Sequence, residues 1–114
     1  MSEAAQDQAR LLPWTGLGGR PCYVVGKGTG RVSRAADRVE ALQLGMALEL
    51  LDHADDMLAD AQATEPQLRH VGAALVHSLR DVHRVARSRG LRLGVPDDSG
   101  EEHPSGQGLV RLLP

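Results

Sequence analysis

At 114 residues the chain has room for one domain, and a formal charge of −2 offers no surface suited to nucleic acid or an anionic membrane. Phenylalanine is absent and Trp14 and Tyr23 are the only aromatic residues, so there is no stacking platform for single-stranded nucleic acid. Cys22 is the only cysteine, which excludes an intrachain disulfide and a cysteine-cluster zinc site.

Residues 1–20 are expected to form a partly disordered N-terminal arm. The opening MSEAAQDQAR is polar, and the chain has neither a basic-then-apolar leader nor a run of about 18 apolar residues. A reduced, cytoplasmic protein is therefore expected. Pro13, Gly16, Gly18, Gly19 and Pro21 then argue against regular structure, while Leu11, Leu12, Trp14 and Leu17 supply apolar weight. An extended arm lying over a core follows, with Trp14 as its anchor and as a candidate partner-binding residue.

Residues 21–93 form the expected folded domain. Cys22 to Val25 is β-prone, Gly26-Lys27-Gly28-Thr29-Gly30 is a turn-forming run, and Arg31-Val32-Ser33 can pair back, which predicts a β-hairpin around a loop of about five residues. Cys22 is expected as a small buried hydrophobe in the first strand. The GKGTG loop fits neither of the two glycine-rich phosphate-binding templates, so turn geometry explains its glycines, and an anion or nucleotide sensor is the weaker reading.

A long helix is predicted from Ser33, a permissible N-cap, to about Asp60–Ala63. At about 100° per residue, Val39, Leu42, Met46, Leu50, Ala54 and Met57 share one side, with Ala47, Leu51, Leu58 and Ala61 alongside and Leu44 and Leu48 further round. An apolar arc of roughly 200° is wider than one core needs. The helix should be buried on two sides, and Leu44, Gly45, Leu48 and Leu51 are the expected contact with a second copy. Gly45 is read as a point of close backbone approach.

A second helix is signalled by Thr64-Glu65-Pro66-Gln67, a capping box with proline in the first turn. Its expected stripe is Leu68, Val71, Leu75, Val76, Leu79, Val82 and Ala86. It is expected to end at Arg89, with Gly90 as a left-handed cap. Consecutive helices on so short a connection should lie antiparallel. The fold class is thus mainly α: a two-helix hairpin preceded by a short β-hairpin, dimerising into a four-helix bundle. Their polar faces differ in sign, with Glu49, Asp52, Asp55, Asp56 and Asp60 on the first helix and Arg69, Arg80, Arg84 and Arg87 on the second.

Residues 94–114 are polar, acidic and rich in glycine and proline, as expected of a disordered tail. They end on Leu109-Val110-Arg111-Leu112-Leu113-Pro114, which repeats the Arg-Leu-Leu-Pro of residues 10–13. Leu112 and Leu113 are candidate partner-binding residues.

No catalytic, metal or cofactor site is expected. His70 and His77 are seven residues apart, too far for ligands on adjacent turns, and His83 is expected at the core edge as a hydrogen-bonded histidine. Glu49 and Asp52, with Asp55, Asp56 and Asp60, are the best constellation for Mg²⁺. The Glu-x-x-Asp form resembles the all-α nucleoside triphosphate pyrophosphohydrolases, but the second helix supplies no matching acidic pair. A small Mg²⁺-dependent nucleotide phosphohydrolase is therefore the alternative function.

The order Pro13-Trp14, Pro21-Cys22-Tyr23-Val24, Gly28-Thr29-Gly30, Val32-Ser33-Arg34, Ala41-Leu42-Gln43-Leu44-Gly45, Leu50-Leu51-Asp52-His53-Ala54 and Arg80-Asp81-Val82-His83-Arg84-Val85-Ala86 resembles a family of small uncharacterised proteins of high-GC actinobacteria. That resemblance implies a bacterial source and a regulatory setting but no mechanism. The function read from the residues is a non-enzymatic regulatory or adaptor protein, acting as a homodimer and binding a further protein, with no cofactor, nucleic acid or membrane.

Overall fold

The computed structural model describes residues 8–26 and 28–94. Strand β1 (Gln8–Thr15) and strand β2 (Pro21–Gly26) form an antiparallel hairpin, followed by helix α1 (Arg31–Ala59) and helix α2 (Glu65–Arg92). The order of elements agrees with the sequence reading; the partners inside the β-hairpin do not.

The stretch expected to be an irregular arm is the first strand. Arg10 stands opposite Val24 and Leu11 opposite Tyr23, and the register shifts between Leu11 and Thr15. That irregularity brackets Pro13, which has no N–H to give a ladder and is tolerated where pairing is broken. The hairpin turns through a 3-10 turn (Leu17–Gly19), in which Gly18 and Gly19 take φ of 70° and 75°. Two consecutive left-handed residues make the pair of glycines necessary here. Arg31-Val32-Ser33, expected as the second strand, is the first turn of α1, so GKGTG links β2 to α1 instead of closing a hairpin. The N-cap of α1 is Gly30, without a side-chain cap, and Ser33 lies buried inside the helix.

The start of α2 follows the sequence closely. The Thr64 hydroxyl accepts from the Gln67 N–H at 3.3 Å, and the Gln67 side chain accepts from the Thr64 N–H at 2.9 Å. Its end lies further on than expected. Gly90 is helical, the helix runs to Arg92, and Gly94 is the left-handed residue, at φ 83° with its N–H on the Leu91 carbonyl. Gly90 has intrinsically poor helix propensity, but the tertiary contacts of Arg89 and Arg92 described below hold the last turn in place.

The helices are antiparallel, and the seam between them is built from small or short residues: Ala36 and Ala54 on α1, Val71 and Val85 on α2. Leu11, Leu12 and Pro13 of β1 close one end of the seam. The large apolar residues named from the sequence flank the seam without filling it. In the protomer, Leu42, Met46, Leu48, Leu51 and Leu58 of α1 and Leu68, Val76 and Leu79 of α2 are exposed. The expectation that α1 is buried on two sides is therefore not met within one chain.

Candidate functional site

The end of the seam that β1 closes holds a carboxylate. Glu40 falls on the same side of α1 as Ala36 and Ala54, where a side chain must point at α2, and its exposure is 0%. Burying an ionised carboxylate is costly unless it is paired and hydrogen-bonded. Three arginines supply the pairing. Arg92 of α2 straddles it, with Nη2 donating to Oε1 at 3.2 Å and Nη1 to Oε2 at 3.3 Å. Arg89 Nε donates to Oε1 at 3.3 Å, and Arg10 Nη2, from β1, donates to Oε2 at 3.2 Å. The two-pronged contact from Arg92 is the strong form of such a pair.

Arg10 is itself 7% exposed, an unusual place for an arginine, and its guanidinium is well used. It donates to the Ser33 carbonyl at 3.0 Å and to Asp37 Oδ1 at 2.7 Å, as well as to Glu40. Ser88, also buried, donates to the Leu11 carbonyl at 2.7 Å and accepts from Arg92. Gln43 Nε2 donates to the Pro13 carbonyl at 2.9 Å. One connected network thus fastens β1 to both helices.

Burial alone would raise the Glu40 pKa, but hydrogen bonds from Arg92 and Arg10, together with their charges, outweigh it and hold the carboxyl below its ordinary value of 4.5. A carboxylate saturated by guanidinium donors and closed to solvent is poorly suited to carry protons for a reaction. It is a clamp. The depressed pKa means that its contribution to stability is present above the unfolded-state value and is lost as pH falls through the folded-state one. Urea denaturation midpoints are expected to be insensitive to this group from pH 7 to 5 and to drop below about pH 4.5. Glu40→Gln should abolish that part of the acid slope.

A second test concerns Ser88. Ser88→Ala removes the hydroxyl donor from the buried Leu11 carbonyl and one of the two acceptors of Arg92 Nη1, so a loss of about 1–3 kcal/mol is expected in chemical denaturation. A loss below about 0.5 kcal/mol would mean that water replaces the hydroxyl.

The sites anticipated from the sequence are distributed as follows. Leu44 is half-buried, while Leu48 and Leu51 are exposed, at 67% and 56%. Gly45 lies 60° beyond Leu48, toward the polar side, and a Cβ there would meet nothing within 4 Å, so no close approach by its own chain explains it. Trp14 is half-buried at the end of β1, and Leu112 and Leu113 lie outside the described residues. Cys22 is in a strand, as expected, but only half-buried.

The candidate chemistry does not assemble. Among the described residues no group of three or more His, Cys, Asp and Glu side chains could hold a metal ion. His83, expected at the core edge, is exposed. Asp52, Asp55 and Asp56 are exposed along α1. Arg69 pairs with Glu65 and Arg84 with Asp81, so those pairs stay within α2 and do not cross the hairpin.

The exposed apolar residues form faces, and helix geometry says which belong together. Relative to the seam, Leu44, Leu48 and Leu51 lie to one side of α1, and Leu42 and Met46 to the other. Two antiparallel right-handed helices rotate in opposite senses when viewed from one end. The flank of α2 bearing Leu68, Leu75 and Leu79 therefore falls on the side of Leu48, and the flank bearing His70 and His77 on the side of Leu42. One side of the hairpin is apolar on both helices; the other is apolar on α1 alone.

The sequence reading missed Glu40, Arg10 and Ser88. A signal for them exists: an acid on the small-residue stripe of one helix, an arginine directly before the apolar run Leu11-Leu12-Pro13-Trp14, and Ser88-Arg89-x-x-Arg92 at the end of the facing helix. Compared with protein-family models, curated proteins and solved structures, the chain matches none.

Proposed function

We propose that this chain is a non-enzymatic regulatory or adaptor protein that works as a homodimer, a four-helix bundle formed by two hairpins through the face bearing Leu44, Leu48 and Leu51. The observation that carries the reading is the shared apolar side: Leu48 and Leu51 on α1 and Leu79 on α2, each more than half exposed, project from the same side of the hairpin. Leucines exposed along one side of both helices are the kind of apolar surface that marks an interaction site, and facing it with a copy of itself is the commonest solution.

Charge supports the same arrangement. The exposed acids of α1 and basic residues of α2 would lie at opposite edges of the contact, so a two-fold axis sets the acidic edge of one copy against the basic edge of the other. Gly45 would sit at the rim of that contact. No helix among the described residues is long and apolar enough to cross a membrane, and a cytoplasmic location is part of the proposal. Trp14, Leu112 and Leu113 are the residues assigned to a further protein partner, in keeping with the regulatory setting that the family resemblance implies.

Size-exclusion chromatography with light scattering tests the reading. Wild type is expected at twice the 12.2 kDa of the chain. A monomer at tens of micromolar overturns it. The Mg²⁺-dependent phosphohydrolase has no comparable support, since its aspartates are dispersed along an exposed face.

A further inference from the structure

We propose that the seat of β1 between the two helices is a receptor for the tetrapeptide Arg-Leu-Leu-Pro, and that Arg111-Leu112-Leu113-Pro114 is its second occupant, exchanging there with Arg10-Leu11-Leu12-Pro13. This does not depend on the dimer.

All four residues of the first copy are read by the seat. Arg10 is held by the Ser33 carbonyl, Asp37 and Glu40. Leu11, Leu12 and Pro13 are buried, and the carbonyls of Leu11 and Pro13 accept from Ser88 and Gln43. The side-chain contacts specify arginine followed by apolar residues, and the backbone contacts are open to any segment laid in the same way. A second segment with the identical four residues carries every group that the seat recognises. It occurs in the same chain, which gives it a high local concentration.

Reach is ample. Arg92, near the end of α2, already touches Glu40, and residues 95–110 separate the described fold from Arg111. Sixteen residues can extend to about 50 Å, far more than is needed to return to a carboxylate at the end of the helix. A polar linker of that length holds its end at an effective concentration of about millimolar.

The first copy leaves one polar atom of the seat, Gln43 Oε1, and one of its own, Arg10 Nε, buried without partners. Its advantage is covalent, because β1 is joined to β2 by a short turn and paired with it along the register given above. The tail copy has the same side chains without that tether. β1 is thus the resident and the tail the competitor, which takes the seat when β1 is weakened or drawn away. Leu112 and Leu113 would then have an occupant role within the chain when no other partner holds them.

Thermal melts of four full-length chains test this: wild type, Arg10→Ala, Arg111→Ala and the double variant. Arg111→Ala alone should move the midpoint by no more than about 1 °C, Arg10→Ala should lower it by about 5 °C, and the double variant should lower it by at least about 10 °C. Arg111 would then matter only once Arg10 is gone. Additive effects overturn the proposal. Should the alanine chains not melt cooperatively, the same cycle is run with Arg10→Lys, which keeps a cation beside Glu40.

A second measurement reads the seat directly. A fluorescent peptide of residues 106–114 should bind the Arg10→Lys/Arg111→Ala chain saturably and bind wild type at least tenfold more weakly, while the same peptide carrying Arg111→Glu should not bind. Equal binding to both chains places its site elsewhere and overturns the proposal. Coupling between Arg10 and Arg111 should survive a hundredfold dilution; coupling lost on dilution assigns the exchange to a second copy and overturns exchange within one chain.

Discussion

Glu40→Gln is expected to cost about 3–5 kcal/mol of folding stability, the largest effect of any single substitution in the described fold. The side chain keeps its shape, so the loss is electrostatic. Glu40 is closed to solvent and accepts from Arg10, Arg89 and Arg92. A neutral amide leaves three guanidiniums converging on one point, with Asp37 as the remaining carboxylate on Arg10. Arg10 then sits buried with much of its charge uncompensated, and the strand that carries it loses its fastening to both helices. A domain of this size has a net stability of order 5–15 kcal/mol, so this one change removes a large share. Urea denaturation followed by circular dichroism measures it. A loss below about 1 kcal/mol would mean that the cluster is solvated in solution and that packing alone seats β1.

Leu48→Asp is expected to leave the fold intact and to weaken the proposed dimer at least a hundredfold, an effect of about 3 kcal/mol. Leu48 is 67% exposed in the protomer, so an aspartate there costs a single chain little. In the bundle it would meet an apolar face and would have to be desolvated without a partner. Leu79→Asp, on the same side of the hairpin, should act alike. Leu42→Asp is the discriminating control: Leu42 is similarly exposed, at 62%, but lies on the opposite flank. If light scattering shows all three variants shifted equally, the contact is not confined to one side. If Leu42→Asp alone dissociates the pair, the contact lies on the other face.

Together the two results separate what holds a chain from what joins chains. The clamp at Glu40 is polar, buried and intrachain, and its contribution falls away in acid. The face around Leu48 is exposed, and the dimer contact proposed there should depend on concentration. An experiment that varies pH at fixed concentration probes the first, while dilution at fixed pH probes the second.

The helices and their order were legible because their signals are local. The 3.6-residue repeat, the capping box at Thr64 and the short connection between the helices each depend on a few neighbouring residues, and the antiparallel hairpin follows from them. The β-hairpin was misplaced for a related reason. Pro13 and a run of glycines argue locally against a strand, but the register irregularity between Leu11 and Thr15 accommodates the proline, and packing against both helices holds the strand in place. The end of α2 shows the same override, with Gly90 carried into the helix by arginines that are anchored across the seam.

What the amino-acid sequence determined by itself is the amount of apolar helical surface and its spacing: two long amphipathic helices with more leucine than one seam can hide. Only the tertiary structure decided which part of that surface is used. The seam took the small residues and Glu40, because close helix packing favours alanine and because a carboxylate can be buried only where arginines from β1 and α2 converge on it. The leucines were left at the flanks. Periodicity assigns a residue to a side of its own helix, but the rotation of one helix against another, and the long-range pairing of Arg10 with Glu40, are set by contacts between segments that lie far apart in the chain.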